Sequence, residues 1–263
     1  MPSTYPAELV SIEGPDAIAF AQSQLSSNLA SLADGQWQFS AWLDAQGRVR
    51  ALFHLVRLDA QRLRLLLRGG EAGALAGELQ RYMFRAKVRV AALPAQQLAT
   101  VDAMPLHAAM EQDDILLLGC GSHGLRLVAD GDDDWRLPQL RAGWPWLVNG
   151  TPGELLPPWL DLGALGATAL DKGCYPGQEI VARLHYRGGS KRQLHRLALS
   201  RALPPGSVLD VDSKASIHML DVVPVNVAAE ALAVVHESTL GALRSGIEVT
   251  HDGLPVSMQV IAP

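Results

Sequence analysis

The sequence predicts an α+β fold that ends in a small antiparallel β-barrel. Apolar residues recur at helical spacing in residues 16–32, which indicates an amphipathic helix near the start of the chain. A hairpin of two strands is predicted over residues 49–67, with its turn at 59–61. After residue 188, short β-like runs alternate with turn clusters such as Pro204-Pro205-Gly206, a pattern typical of small barrels.

The remaining elements follow from the same two periodicities, applied in order along the chain. Helices are predicted over residues 16–32, 71–84 and 135–142, the last capped by Asp134, and a fourth begins just after Gly177. Strands before the barrel are predicted over residues 49–58, 62–67, 87–92, 97–102, 115–118 and 125–129. Strands of the barrel are predicted over residues 193–199, 208–211, 217–223, 231–236 and 256–261.

The composition indicates a cytoplasmic protein rather than a membrane or secreted one. No uninterrupted apolar stretch approaches the ~20 residues that a membrane helix needs. The N-terminus has no basic region followed by an apolar one, so no secretory signal is predicted. The two cysteines are too few for a disulfide framework or for the four thiolates that usually hold an iron–sulfur cluster. The eight histidines form no paired ligand motif, so no metal site is predicted.

The net charge of −5 conceals a segregation of charge along the chain. Residues 48–89 carry ten Lys and Arg against three acids, and their alternation with apolar residues favours an exposed, solvated sheet face. Residues 95–180 carry twelve acids against four bases. Residues 183–196 then carry five cations and no acid, which suits an anionic ligand such as a carboxylate tail or RNA phosphate. The negative net charge does not support nucleic acid as a partner.

Residues 119–124 match the dinucleotide fingerprint Gly-x-Gly-x-x-Gly, with Cys120 inside it. This fingerprint functions only where a helix begins at the glycines, so that backbone N–H groups meet a pyrophosphate. Residues 125–129 instead alternate with a period of two, which indicates the second strand of a hairpin. Nucleotide binding is therefore not expected here.

The segment most informative about chemistry is Lys172-Gly173-Cys174-Tyr175-Pro176-Gly177-Gln178-Glu179. Pro176 and Gly177 occupy the central positions of a predicted type II turn, which requires a positive φ at Gly177. A helix that begins after the turn brings unpaired backbone N–H groups and a positive dipole near Cys174, and both favour a thiolate. The alternative is a turn with an incidental buried cysteine, since free cysteine often packs as a small apolar residue.

This segment and three others, in the same order, resemble the YgfZ family of folate-binding proteins, which are related to the glycine-cleavage T-protein. Residues 172–179, followed by Val181-Ala182-Arg183, resemble the family signature Lys-Gly-Cys-Tyr-x-Gly-Gln-Glu and the Val-Ala-Arg run after it. The other matches are residues 12–29, the loop at 44–48 and the segment at 186–192. Because the family is implicated in iron–sulfur enzyme maintenance and tRNA thiomethylation, the resemblance implies these roles, with iron–sulfur proteins as partners.

The resemblance also implies which residues act. A functional, catalytic centre is expected at Cys174 and Lys172, with Gly173 and Gly177 shaping the turn. The expected ligand is tetrahydrofolate or a one-carbon derivative. A flat aromatic side chain such as Trp135 is suited to stack on a pterin ring. The alternative interpretation of Trp135 is a core tryptophan on an amphipathic helix. The residues expected to bind the ligand are Trp135, Tyr175, Gln178, Glu179, Arg183, Arg187 and Lys191.

Several positions depart from the T-protein pattern. Ala51 and Leu52 stand where the T-protein loop has two acids, and neither side chain can take a proton or stabilise a cation. Arg141 replaces the Glu that would bind the pterin edge, and a guanidinium has donors only. Pro158 and Asp161 stand in place of a Gln and an Asn. We therefore expect a folate-binding accessory factor, and the alternative is a folate-dependent, aminomethyltransferase-like enzyme of one-carbon transfer.

The architecture implied by the resemblance is that of the T-protein, with three lobes around a central cavity. The first lobe would be discontinuous, combining residues 1–46 with residues 143–190. Residues 47–142 would form an inserted α+β lobe, and residues 191–263 the barrel. Clefts between lobes are the usual place for a small-molecule site.

Overall fold

Antiparallel strands make up most of the regular structure. The computed structural model describes residues 5–261 apart from 114, 148–153, 189, 213 and 214. The strands, in chain order, are β1 (Pro6–Ala7), β2 (Leu9–Glu13), β3 (Gln36–Leu43), β4 (Val49–Asp59), β5 (Arg62–Leu67), β6 (Arg89–Ala92), β7 (Gln96–Val101), β8 (Ala109–Gln112), β9 (Ile115–Gly119), β10 (Gly124–Val128), β11 (Arg192–Leu199), β12 (Val208–Asp212), β13 (Ala215–Val225), β14 (Ala228–His236), β15 (Ile247–His251) and β16 (Leu254–Val260).

These strands form three sheets. The first sheet has the order β3-β4-β5-β2-β6, the second β1-β7-β10-β9-β8, and the third β12-β13-β14-β11-β16-β15. In the third sheet the two edge strands, β12 and β15, approach each other, so the sheet is nearly closed into a barrel. The predicted α+β class and the barrel-like C-terminal sheet are confirmed.

Five helices lie in the described part of the chain: α1 (Ala17–Gln24), α2 (Ala72–Gln80), α3 (Arg136–Arg141), α4 (Gln178–Arg187) and α5 (Glu237–Ser245). The helix predicted over residues 16–32 is wrong beyond Gln24, because the backbone turns extended at Leu25. There Ser26 pairs with β3: its N–H donates to the Ala41 carbonyl and its Oγ accepts from the Ala41 N–H, each at 2.9 Å. A serine that satisfies backbone groups of a neighbouring strand competes with helix formation.

Two further corrections concern helix ends. The helix predicted over residues 71–84 ends at Gln80, and the chain continues in turns up to β6. Asp134 is not the cap of α3, since the cap position is Trp135 and no side chain bonds to the first turn. Asp132 is the residue that organises this corner: its carbonyl accepts from the Trp135 indole N–H at 2.8 Å, and its carboxylate from the Asp134 N–H at 3.0 Å.

The first sheet buries both of its faces. One face packs on α1 and α2. The other packs on the second sheet and on side chains of later residues, among them Trp146, Tyr175 and Val181. Strands buried on both faces carry no alternation of apolar and polar residues, so β2 and β3 were not predicted. The short strands β1, β8 and β15 and the helix α5 were also missed, and the hairpin of β9 and β10 is confirmed, with Gly119 opposite Gly124.

Two observations bear on the larger organisation. The hairpin of β3 and β4 spans residue 46, where the first predicted lobe boundary falls, so one sheet draws strands from both sides of it. The division into lobes stays a prediction. Among the helices that the structure describes, none is long and apolar enough to cross a bilayer.

Candidate functional site

The turn at residues 174–177 has the conformation that its sequence demands. Gly177 has φ +78° and ψ −2°, and α4 begins at the next residue. Only glycine adopts this left-handed conformation at little cost, so the predicted type II geometry at Gly177 is present. Gly173, the other predicted turn residue, has open space around its Cα and no positive φ.

A second family-like segment, the loop at residues 44–48, packs directly under this turn. A Cβ on Gly177 would lie 2.5 Å from the Asp44 carbonyl oxygen, and one on Gly47 would lie 2.8 Å from the Ile180 Cβ. The loop is closed by the Asp44 carboxylate, which accepts from the backbone N–H groups of Gln46 and Arg48, each at 2.9 Å. Gly177 is therefore required by the close approach of the loop backbone, and Gly47 by its φ of +72° and by the Ile180 side chain.

Lys172 joins the turn to a third family-like segment. Its Nζ donates to the carbonyls of Leu25 at 2.6 Å and Ser27 at 2.8 Å, just beyond the end of α1. The ammonium also lies 5.1 Å from the centre of the Tyr175 ring. Burial lowers the pKa of Lys172 to about 8, so this amine loses its proton far more readily than an ordinary lysine.

Cys174 opens onto a groove of about 550 Å³. The thiol is exposed, so the alternative of an incidental buried cysteine is wrong. The groove is lined by Ala45, Leu170, Cys174, Tyr175, Pro176, Gly177, Gln178, Glu179, Ala182 and Tyr186, and we call it the Cys174 groove. Glu179, Ala182 and Tyr186 lie on one face of α4, as residues spaced by three and four do.

The predicted ligand-binding residues fall into three places. Tyr175, Gln178 and Glu179 line the Cys174 groove. Arg183, Arg187 and Lys191 are exposed on α4 and just after it, outside the residues that line the groove. Tyr175 exposes little of its ring to the groove, because it is buried in the core. Burial raises the pKa of Tyr175 to about 12. Its hydroxyl has no hydrogen-bond partner among the described residues.

Trp135 lies away from this groove. Its side chain is 1% exposed and packs against Tyr5 and Trp146, with ring centres 6.2 Å and 4.8 Å away. Next to it, Arg136 pairs with the buried Asp221 of β13 and thereby ties α3 to the barrel. Trp135 therefore matches the alternative interpretation, a core tryptophan, because the described structure leaves no face of its ring open to a ligand.

Two of the positions that depart from the T-protein pattern line a different cavity. Arg141 and Asp161 line one cavity of about 740 Å³ between α3 and the barrel, together with Arg196, and we call it the Arg141 cavity. Arg141 donates to both carboxylate oxygens of Glu230, and this ion pair lowers the pKa of Glu230. Pro158 lies in a short 3-10 turn at Pro157–Leu160, outside this lining.

Cys120, the second cysteine, lies in the Gly-rich hairpin and is 6% exposed. Burial raises its pKa to about 12, which suppresses the thiolate. Since a strand and not a helix follows Gly124, the hairpin has no helix N-terminus to hold a pyrophosphate. Over the residues that the structure describes, no group of three His, Cys, Asp or Glu side chains is placed to hold a metal ion.

The sequence did not predict all the groups around the Cys174 groove. It gave no signal for Leu170, or for the carbonyls of Leu25 and Ser27 that hold Lys172. Tyr186 was noted only as part of a family-like segment, yet it is 77% exposed at the rim. The sequence signal that could have identified Tyr186 is its spacing, which places an aromatic residue on the same helical face as Glu179.

Comparison with known proteins gives both sequence relatives and a structural neighbour. No protein-family model matches the chain. A "tRNA-modifying protein YgfZ" from Klebsiella pneumoniae is 29% identical over 241 residues, covering 78% of this chain and 73% of its own length. A protein of the same name from Colwellia psychrerythraea is 25% identical over 232 residues, covering 74% and 71%.

The structural neighbour is the crystal structure of the glycine cleavage system aminomethyltransferase T from Bartonella henselae. It superposes with a TM-score of 0.68 at 16% identity, covering 97% of this chain and 83% of the other. At this identity the match establishes the fold alone. The chain therefore has the fold of the glycine-cleavage T-protein, and it is similar in sequence, including the four segments in family order, to proteins named YgfZ.

Proposed function

We propose that this protein is a folate-binding accessory factor that supports iron–sulfur cluster assembly or repair and iron–sulfur-dependent tRNA modification. The observation that carries the proposal is the meeting of three family-like segments at the Cys174 turn, through Lys172 and the pair Gly47 and Gly177. Relatives named as tRNA-modifying proteins support the tRNA context, and a T-protein fold supports a folate. In this proposal tetrahydrofolate or a one-carbon derivative is the small-molecule partner, and iron–sulfur proteins are the clients.

The Cys174 groove has groups suited to each part of a folate. A pterin edge presents N–H donors, and Glu179 supplies a carboxylate acceptor that Arg141 cannot supply. The exposed Tyr186 ring offers a face for stacking on the pterin. Arg183, Arg187 and Lys191 are exposed along and after the same helix, within the reach of a glutamate tail that carries carboxylates.

The Arg141 cavity is the second candidate place for a folate. It is larger, about 740 Å³, and the predicted three-lobe division puts it between the first lobe, which includes residues 143–190, and the barrel of residues 191–263. The inserted lobe of residues 47–142 would close it through Arg141. The groove is favoured because Arg141 is already held by Glu230 and offers no acceptor.

Calorimetry with tetrahydrofolate and its polyglutamates tests the ligand and its place together. Glu179→Gln removes the negative charge and replaces one of the two acceptor oxygens by a donor at nearly constant shape. We expect it to weaken binding about tenfold or more, while Arg141→Ala leaves binding unchanged. The reverse result would move the ligand to the Arg141 cavity. No binding of the wild-type protein up to ~1 mM, which corresponds to only about 4 kcal/mol, would end the folate proposal.

Complementation of a deletion strain tests the iron–sulfur role separately. We expect Cys174→Ser and Lys172→Ala to lose rescue of iron–sulfur enzyme activity, because the thiol and the amine form the proposed functional centre. Cys120→Ser should rescue fully, since that thiol is buried. Full rescue by Cys174→Ser, with folate binding intact, would exclude the thiol-centred role and leave the ligand proposal standing.

The alternative function, an aminomethyltransferase-like enzyme, is tested by turnover with a lipoyl carrier protein and tetrahydrofolate. Ala51 and Leu52 are buried in β4 and carry no ionisable group. We therefore expect no transfer, whereas turnover near ~1 s⁻¹, ordinary for an enzyme, would favour the alternative.

A further inference from the structure

The cations of residues 48–89 are not spread over a solvated sheet face, as the sequence suggested. Arg64 and Arg68 are buried, and Arg64 pairs with Glu111 at 2.8 Å. Arg57 pairs with Asp34 at 2.6 Å and Arg62 with Asp59 at 2.7 Å. The cations that stay exposed are Arg48, Arg50, Arg62, Arg81, Arg85, Lys87 and Arg89, and four of these seven lie within nine residues.

Residues 81–89, which we call the basic-aromatic segment, connect α2 to the edge strand β6. Its side chains divide by direction: Met83, Ala86 and Val88 pack against the core, while the aromatic and cationic side chains face solvent. Phe84 is 82% exposed and Tyr82 is 48% exposed. Within the described ranges, no carboxylate lies within 4 Å of the charged groups of Arg85, Lys87 or Arg89, whereas Arg81 pairs with Glu78 at 3.0 Å.

The backbone of this segment is held in place. The Lys87 N–H donates to the Asp16 carboxylate at 2.8 Å, and the Ala86 N–H to the Met83 carbonyl at 3.0 Å. Arg85 has φ +65°, a conformation that is rare for a residue with a side chain. This conformation sets the Arg85 guanidinium 5.2 Å from the centre of the Phe84 ring. The exposed rings and cations therefore form a preordered surface.

We propose that the basic-aromatic segment binds an unpaired segment of RNA. Surfaces for single-stranded nucleic acid combine cations that follow the phosphates with aromatic rings on which bases stack, and this segment supplies both. Arginine and aromatic residues are also enriched at protein–protein interfaces. The observation that favours a polyanionic strand is the run of Arg85, Lys87 and Arg89, beside which the described residues place no carboxylate. The choice of RNA over DNA rests on the proposed function. The segment is distinct from the Cys174 groove and shares no lining residue with it.

The test measures the affinity of the full-length protein for a fluorescein-labelled single-stranded RNA of about 12 nucleotides, at several salt concentrations. Phe84→Ala should weaken binding about tenfold and leave the salt dependence unchanged, because it removes stacking only. Lys87→Gln should weaken binding and reduce the salt slope by about 1, because it removes one phosphate contact. Arg126→Gln, at an exposed cation on β10, is the matched control and should change neither quantity.

Three outcomes would overturn the proposal: wild-type affinity no higher than that of Phe84→Ala, equal losses for Arg126→Gln and Lys87→Gln, or tighter binding to single-stranded DNA of the same sequence. Phe84-dependent flotation with phosphatidylserine vesicles, in the absence of Phe84-dependent RNA binding, would assign the surface to a membrane instead. Folate calorimetry of Phe84→Ala should match the wild type. Folate binding and RNA binding can therefore fail independently.

Discussion

The two cysteines of this chain stand in opposite environments, although both lie beside glycine-rich turns. Cys174 is exposed at the edge of a groove, between Lys172 and the first turn of α4. Cys120 is buried between two strands, where its sulfur meets the Leu118 carbonyl and the Gln139 amide at 4.0 Å. The surrounding structure, and not the local residue types, therefore decides which thiol can react.

The hairpin and the motif turn also use their glycines differently. A Cβ on Gly119 would lie 2.0 Å from the Pro105 carbonyl oxygen, so that glycine permits the close approach of Met104 and Pro105. Gly177 permits the close approach of the loop at residues 44–47, and Cys174 in the same turn is exposed. A close backbone approach at glycine therefore accompanies a buried cysteine in one turn and an exposed cysteine in the other.

The largest difference should appear in alkylation of the native protein by iodoacetamide. At pH 7.5 we expect Cys174 to react faster than Cys120 by at least ~100-fold, because burial hides Cys120 and a pKa of about 12 leaves it little thiolate. Peptide mass spectrometry of the Cys120→Ser and Cys174→Ser proteins gives both rates. In denaturant the two rates should converge, and similar rates in the native state would contradict the contrast drawn here.

The next effect concerns the turn that displays Cys174. Gly177→Ala should lower the free energy of unfolding by about 2 kcal/mol or more, because φ is +78° and the new Cβ would lie 2.5 Å from the Asp44 carbonyl. Gly173→Ala, in the same motif but with open space, is the matched control and should change it by less than ~0.5 kcal/mol. Chemical denaturation measures the free energy of unfolding of both variants. Equal decreases would show that the turn does not require glycine at position 177.

The smallest effect is the titration of Lys172. NMR of reductively methylated lysines should show one amine that titrates near pH 8 instead of the ordinary 10.5, and Lys172→Met should remove that signal. The folded-state pKa is lower than the unfolded one, so the unfolded chain binds more protons between pH 8 and 10.5. The contribution of Lys172 to stability therefore rises with pH across that window. A midpoint above pH 10 would show that the ammonium is well solvated.

Local patterns in the sequence determined much of the fold. The hairpin of β4 and β5, five of the six strands of the barrel-like sheet and the positive φ of Gly177 all follow from periodicity and turn chemistry, which neighbours in the chain decide. The early end of α1 did not follow, because it depends on the bonds between Ser26 and Ala41, two residues far apart in sequence. The strand β3 was missed because burial of both its faces removes the alternation that marks a strand.

The candidate site shows the same division. The sequence by itself identified Lys172, Cys174 and the turn, because a thiol, a cation and a Pro-Gly pair in eight residues carry chemistry wherever they fold. Only the tertiary structure decided that Cys174 is exposed and Cys120 is buried, that Trp135 lies in the core, and that four exposed cations lie within residues 81–89. The burial and ion pairing of a side chain depend on residues that are distant in sequence, so a local sequence pattern cannot predict them.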